Sequence, residues 1–224
     1  KTDKHLAKNF DIRNYVSGKK ENKKALQETL GLEVKGDVAL IGIVSRLTEQ
    51  KGMYMITEKL REIMDQNVQF VILGTGEANA ENAFKWLESE YKGRAVYYCG
   101  YNEDLAHLIY AGCDMFFMPS IYEPCGIGQL IAMHYGTLPI VRETGGLKDT
   151  VHPYNQYTGE GNGFSFWAAN PNDMMYTLRY ALEQYYNNKT GWKGLVKSAM
   201  NTDVSWEQSA NQYEQLYYSI CNWD

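Results

Sequence analysis

Val38-Ala39-Leu40-Ile41-Gly42-Ile43-Val44-Ser45 and, one helix later, Val68-Gln69-Phe70-Val71-Ile72-Leu73-Gly74 are the two stretches that decide the fold. Each is a short apolar run with polar or turn residues at its ends: Gly36-Asp37 and Arg46 for the first, Thr75-Gly76 after the second. Between them Met53, Ile56, Leu60, Ile63 and Met64 recur at helical spacing. Continuous apolar runs are what strands show when both faces of their sheet are covered. The unit strand–helix–strand then repeats. Residues 78–91 read as helix, 95–99 as strand, 103–111 as helix, and 114–118 as a strand stopped by Pro119. Residues 126–135 read as helix, 138–142 as a fifth strand and 163–167 as a short sixth. Only helices follow, at about 171–186, 192–200 and 205–220. The expected fold is α/β, a Rossmann-like parallel sheet with helices on both faces and right-handed crossovers, closed by C-terminal helices.

Composition narrows the class. The 224 residues are 44% hydrophobic and 22% charged, which excludes disorder, collagen and coiled coil. Twenty-two basic against 27 acidic residues leave a net charge of −5 with no basic block, which argues against a nucleic-acid surface. No apolar run approaches the roughly 20 residues that a bilayer requires, so no membrane span is expected. Cys99, Cys113, Cys125 and Cys221 form no Cys-x-x-Cys pair and are expected as free thiols in a reducing compartment. Lys1-Thr2-Asp3-Lys4-His5 has neither an initiator Met nor an apolar segment; it reads as no signal peptide and is expected to be cut from something longer.

In an open α/β sheet ligands bind beyond the carboxyl ends of the strands, and the chemistry is concentrated there. After the first strand, Ser45-Arg46-Leu47-Thr48-Glu49-Gln50-Lys51-Gly52 sets two cations five positions apart. Arg46 can fork two oxygens and Lys51 adds a point charge, a pair suited to a diphosphate. Gly74-Thr75-Gly76 is a tight turn that can present N–H groups to phosphate, although the third glycine of the dinucleotide fingerprint is replaced by Asn79. Tyr101 offers a flat face to a base. After the fourth strand, Glu123 stands on a stiff loop before Pro124, with Gly126, Gly128 and Gln129 opening the next helix. Thr144-Gly145-Gly146 is a second glycine-rich turn into a helix. Together these strand ends describe a pocket for a nucleoside diphosphate bearing a polyhydroxy group.

Other features read as structure. His5, His107, His134 and His152 show no ligand spacing and no metal is expected. Cys125 has no histidine near it in sequence and reads as a small packed residue. Tyr213, Leu216, Tyr217 and Ile220 form a helical stripe, a packing face rather than a cofactor box.

The loops Ser45-Arg46-Leu47-Thr48-Glu49-Gln50-Lys51-Gly52, Glu123-Pro124-Cys125-Gly126 and Thr144-Gly145-Gly146-Leu147 resemble those of bacterial glycogen synthases and plant starch synthases, from about residue 10 to the end. The resemblance implies the C-terminal, nucleotide-sugar half of a GT-B glycosyltransferase, its acceptor half lying before Lys1. The polar residues 1–22 read as a linker or lead-in segment and the mixed charges of Glu21 to Lys24 as a solvated helix start; a donor domain at 23–200 follows, and the resemblance implies a C-terminal helix at 201–224 that crosses back to the missing N-terminal domain. It implies catalytic roles for Arg46, Lys51 and Glu123, and donor contacts for Tyr101, Gly126, Gly128, Gln129, Thr144, Gly145 and Gly146; Gly74 and Gly76 join the donor set through their phosphate-suited turn. The implied reaction is retaining transfer of glucose from ADP-glucose to the non-reducing end of an α-1,4-glucan, without cofactor or metal, in the cytoplasm or, for a plant protein, the plastid. Related retaining transferases carry a second Glu eight positions after the first; here that position is Ile131. A GT-B transferase using UDP-glucose, a nucleotide-binding module without catalysis, and a Rossmann dehydrogenase are the competing expectations.

Overall fold

The computed structural model describes residues 2–221. Its centre is one parallel sheet of β1 (Ala39–Val44), β2 (Val68–Gly74), β3 (Ala95–Cys99), β4 (Met115–Met118), β5 (Leu138–Arg142) and β6 (Phe164–Phe166), in the spatial order β3-β2-β1-β4-β5-β6. β1 pairs with β2 on one side, Ile41 opposite Phe70, and with β4 on the other, Ile41 opposite Met115. The alternation of side chains along β1 feeds two cores. Ala39, Ile41 and Ile43 pack with Met53, Ile56 and Phe84, whereas Leu40 packs with Leu26, Ile109 and Phe116 on the opposite face. The continuous apolar runs in the sequence are thus strands covered on both sides.

The covering helices are α1 (Tyr15–Leu30), α2 (Met53–Glu58), α3 (Leu60–Met64), α4 (Ala78–Glu90), α5 (Glu103–Gly112), α6 (Gly128–His134), α7 (Gly145–Thr150), α8 (Pro171–Asn187) and α9 (Lys189–Met200). The single helix expected over 53–64 breaks at Lys59, which caps α2 and opens α3. α8 and α9 start where an Asn side chain accepts from the first turn: Asn170 from Asn172 and Asp173, and Asn188 from Gly191.

The sequence reading of the first 24 residues needs correction. Residues 2–22 are not a linker or lead-in segment outside the domain, because α1 begins at Tyr15 and Phe10 is already buried. The Asn22 side chain accepts from Ala7 N–H at 3.0 Å and donates to Lys8 C=O at 2.7 Å, tying the segment down. Nor are Glu21 to Lys24 all solvated: Asn22 and Lys23 are buried. Lys23 Nζ donates to Val38 C=O at 2.6 Å and lies 2.7 Å from Asp114 Oδ2, which in turn accepts from Leu40 N–H. Neighbouring Lys19 donates to the carbonyls of Ala111, Cys113 and Tyr135 and to Thr137 Oγ1. Two lysines therefore act as clamps between α1 and the amino ends of β1 and β4, their charge met by oxygens that water would otherwise serve.

α10 (Trp206–Cys221) buries no residue. Tyr213, Leu216, Tyr217 and Ile220 are 63%, 50%, 63% and 66% exposed, so the stripe does not pack on this domain's own sheet. Among the described residues no helix is long and apolar enough to cross a membrane, and the four cysteines are free.

Candidate functional site

β1 and β4 are neighbours whose chains leave in opposite directions, β1 toward β2 and β4 toward β5. This is the switch point at which an open sheet forms its crevice. The loops after β1 and β4 meet there, backbone on backbone. Ile121 N–H donates to Gln50 C=O at 2.9 Å. Gly52 has φ +72°, and a Cβ on it would lie 1.9 Å from the Pro119 carbonyl oxygen, so only glycine fits the crossing. Its effect is to bring together two residues 72 positions apart: Lys51 Nζ forms an ion pair with Glu123 Oε2, their side chains 17% and 10% exposed.

Arg46 stands outside this pair, exposed, at the mouth of a cavity of about 260 Å³. The cavity is lined from three strand ends: Ser45 and Arg46, Gly74 and Thr75, Gly100 and Tyr101. Tyr101 is 79% exposed and presents its ring at the edge. The two expected cations thus face different surroundings, one a carboxylate and the other open space.

The second glycine turn braces the site from the other side. A Cβ on Gly145 (φ +45°) would lie 2.1 Å from Glu123 C=O, and one on Gly146 would lie 2.2 Å from Cys125 C=O. Gly146 N–H donates to the carbonyls of Glu123 and Pro124 at 3.2 and 3.0 Å. Thr144 occupies the position before the first turn of α7, its side chain making no bond to that turn. Glu123 is therefore held by two neighbouring loops as well as by Lys51.

Several expected donor contacts are engaged within the protein. Gln129 is fully buried, and its Nε2 donates to the carbonyls of Cys125 and Gly126 and to Thr150 Oγ1. It shapes the loop from behind. Gly126 takes positive φ beside that amide, and Gly128 packs near the Phe116 ring. Gly74 and Gly76 lie against the continuing β1 loop, where Leu47 N–H donates to Thr75 C=O and Glu77 N–H to Leu47 C=O. Gly76 N–H itself donates to Glu81 Oε1 at 3.0 Å, so this turn already holds a carboxylate. That bond from Gly76, with one from Thr75, holds the Glu81 carboxyl below its usual range despite the opposing effect of desolvation.

Sequence reading missed Arg142. Its Nε donates to Ser120 C=O at 3.0 Å, Nη2 to Ile121 C=O, and Nη1 to Trp167 C=O at 3.3 Å. It ties the end of β5 to the loop that carries Glu123. A charged residue closing an apolar strand was the only available signal.

The arrangement offers a free guanidinium, a neutralised ammonium–carboxylate pair and an aromatic rim on one open edge. Residues 31–191 match the family of glycosyl transferases group 1. A glycogen synthase of Bacillus cereus (strain B4264) is 51% identical over 219 residues, covering 98% of this chain and 46% of the relative. A glycogen synthase of Clostridium botulinum (strain Alaska E43 / Type E3) is 47% identical over 220 residues, with the same coverage. The chain thus spans about half the length of the curated relatives it matches. The catalytic domain of starch synthase IV from Arabidopsis thaliana, solved with ADP and acarbose, superposes with a TM-score of 0.87 at 38% identity, over 97% of this chain and 45% of that one. The chain therefore belongs to the glycosyl transferases group 1, and its parallel sheet is that of the GT-B fold.

Proposed function

We propose that the chain is the donor-binding half of a retaining glucosyltransferase that moves glucose from ADP-glucose to the 4-hydroxyl at the non-reducing end of an α-1,4-glucan. The observation that carries this is the crevice at the β1/β4 switch point, with Lys51 and Glu123 paired inside it and the Arg46–Tyr101 cavity beside it. The identity to glycogen synthases and the ADP held by the starch synthase neighbour support the choice of nucleotide and sugar.

The nucleoside lies in the cavity, its base toward the exposed ring of Tyr101. The diphosphate then reaches the β1 loop, where Arg46 takes two of its oxygens. Departure of that diphosphate from an oxocarbenium-like glucose is the hard step, and negative charge grows on the leaving oxygen. Lys51, held by Glu123, meets that charge as a preorganised donor worth about 3 to 4 kcal/mol in sites of this kind, and Arg46 adds a second cation. Glu123 keeps Lys51 in place and neutral in sum until the donor arrives, and its carboxylate then faces the glucose. The reading assigns no metal to the donor pocket and treats ADP-glucose as substrate. The acceptor wall belongs to sequence that the longer relatives have and this chain does not span.

Calorimetry with ADP, ADP-glucose, UDP-glucose and NAD tests the reading. One site for ADP and ADP-glucose is expected, with weaker binding of UDP-glucose and none of NAD. Tighter binding of UDP-glucose overturns the donor assignment, and absence of any nucleotide binding overturns the site.

A further inference from the structure

The fold gathers three ligating side chains that lie far apart in the sequence. One ligating atom each from Asp3, His5 and His107 lies within 4.8 Å of the other two, and all three residues are partly buried. Asp3 and His5 precede α1, whereas His107 is in the middle of α5. Asp3 Oδ2 accepts from His107 Nδ1 at 2.7 Å, across 104 positions of sequence, and from the Tyr135 hydroxyl. Asp3 Oδ1 accepts from the His5 backbone N–H at 2.9 Å. The two imidazoles stand 4.7 Å apart, centre to centre. None of these residues lines the Arg46 cavity.

Two imidazoles and one carboxylate form a donor set for zinc and its neighbours in the transition series. Magnesium and calcium take sets made of oxygen alone. The surroundings also fit. His5 Nδ1 is hydrogen-bonded to Asp104, which leaves Nε2 as its ligating atom, and the proton that His107 Nδ1 shares with Asp3 Oδ2 is released when the ion takes its place. A carboxylate on the far nitrogen is the arrangement that orients a metal-bound imidazole. Tyr135 fixes the Asp3 carboxylate in the same manner.

We propose that Asp3, His5 and His107 are the three protein ligands of a site for a zinc-class dication, oriented by Asp104 and Tyr135, which clips the segment before α1 to α5. The ion is structural and takes no part in sugar transfer. Its fourth position is filled by water, as a three-ligand site leaves one open.

The test is titration of the untagged chain with Zn²⁺ by calorimetry and with Co²⁺ by visible absorption. Unsubstituted protein is compared with His5→Gln, His107→Gln, Asp104→Asn and His152→Gln, each checked for folding by circular dichroism. One Zn²⁺ per chain is expected, with Co²⁺ giving the intense visible bands of a low-coordinate site. Stoichiometric binding is lost in His5→Gln and His107→Gln, weakened about tenfold in Asp104→Asn, and unchanged in His152→Gln. Zn²⁺ raises the melting temperature of the unsubstituted chain, because an ion that binds only the folded state stabilises it. Failure of the folded, unsubstituted chain to bind one equivalent of Zn²⁺ overturns the proposal. So does binding that survives in both histidine variants.

Discussion

Lys51 and Glu123 neutralise each other in a crevice that Gly52 makes possible. If the ammonium acts mainly on charge that develops during reaction, its loss must fall on turnover rather than on donor binding. In the enzyme that contains both halves, Lys51→Ala is expected to lower kcat by roughly 100- to 1,000-fold with a much smaller change in KM. Steady-state rates decide the matter; an unchanged kcat with a raised KM makes Lys51 a ground-state contact only. The variant also strands Glu123 without its partner, so its melting temperature falls. Adding Glu123→Gln should recover stability without recovering turnover, which separates folding from chemistry. At this scale the sequence showed that cations, a carboxylate and glycines stand at consecutive strand ends, and the structure places them on one edge of the sheet. It could not show what each glycine is for. Gly145 and Gly146 clear the backbone of a loop that lies more than twenty positions earlier, and Gly76 serves Glu81. Such roles depend on which strands become neighbours. Arg142 escaped notice for the same reason: its three acceptors come from other segments.

The strands were legible because each is a mainly apolar run, and all six stand close to their expected limits. α1 was only half legible. Lysines signal solvent in a sequence, and nothing local shows that a ring of carbonyls awaits Lys19 or an aspartate awaits Lys23. The Lys23–Asp114 pair is nearly closed to water, with side chains 6% and 14% exposed. Removing one member leaves the other charge buried and unmatched, which costs about 3 to 5 kcal/mol. Lys23→Ala is therefore expected to lower stability by about that much in urea unfolding, whereas loss of under 1 kcal/mol would show that water replaces the ammonium freely. The segment before α1 carries a pH signature. Asp3, held at about 2 in the folded chain, lies below the usual carboxylate value near 3.9. A depressed carboxyl stabilises the fold above its unfolded value, and that contribution is lost as pH falls through the folded one. With a chelator keeping Asp3 free of metal, the stability gap between the unsubstituted chain and Asp3→Asn should shrink as pH falls between about 4 and 2. Denaturant midpoints across that range measure it, and a gap that stays constant down to pH 2 would contradict the role given to Asp3.

For the whole molecule, α10 is the part that the domain does not use. It buries nothing, yet its apolar side chains border an open groove lined by Tyr213, Tyr217 and Tyr218. Exposed apolar patches of this kind mark interfaces, and the relatives are about twice as long as this chain. Tyr213→Asp and Tyr217→Asp together should leave the melting temperature of the 224-residue chain within the range of ordinary surface changes, about 0.5 kcal/mol. In the enzyme containing both halves the same pair should reduce glucan elongation. A matching loss of stability in the isolated chain would mean that α10 belongs to its core after all.

The strand order also bears on how the chain is made. β1 is the first of the six strands in chain order and sits in the middle of the sheet, and its second edge is met only by β4, 74 positions later at Ile41 and Met115. Until then a nascent chain presents one row of unpaired amides and carbonyls on its most apolar strand. Open edges of that sort recruit other strands. Chains released before residue 115 should therefore aggregate even though β1, β2 and β3 are complete, and light scattering of a series of 3′-truncated translation products would reveal solubility returning once β4 is included. The position that gives β1 two neighbours and a ligand crevice is also what leaves the half-made protein dependent on shielding.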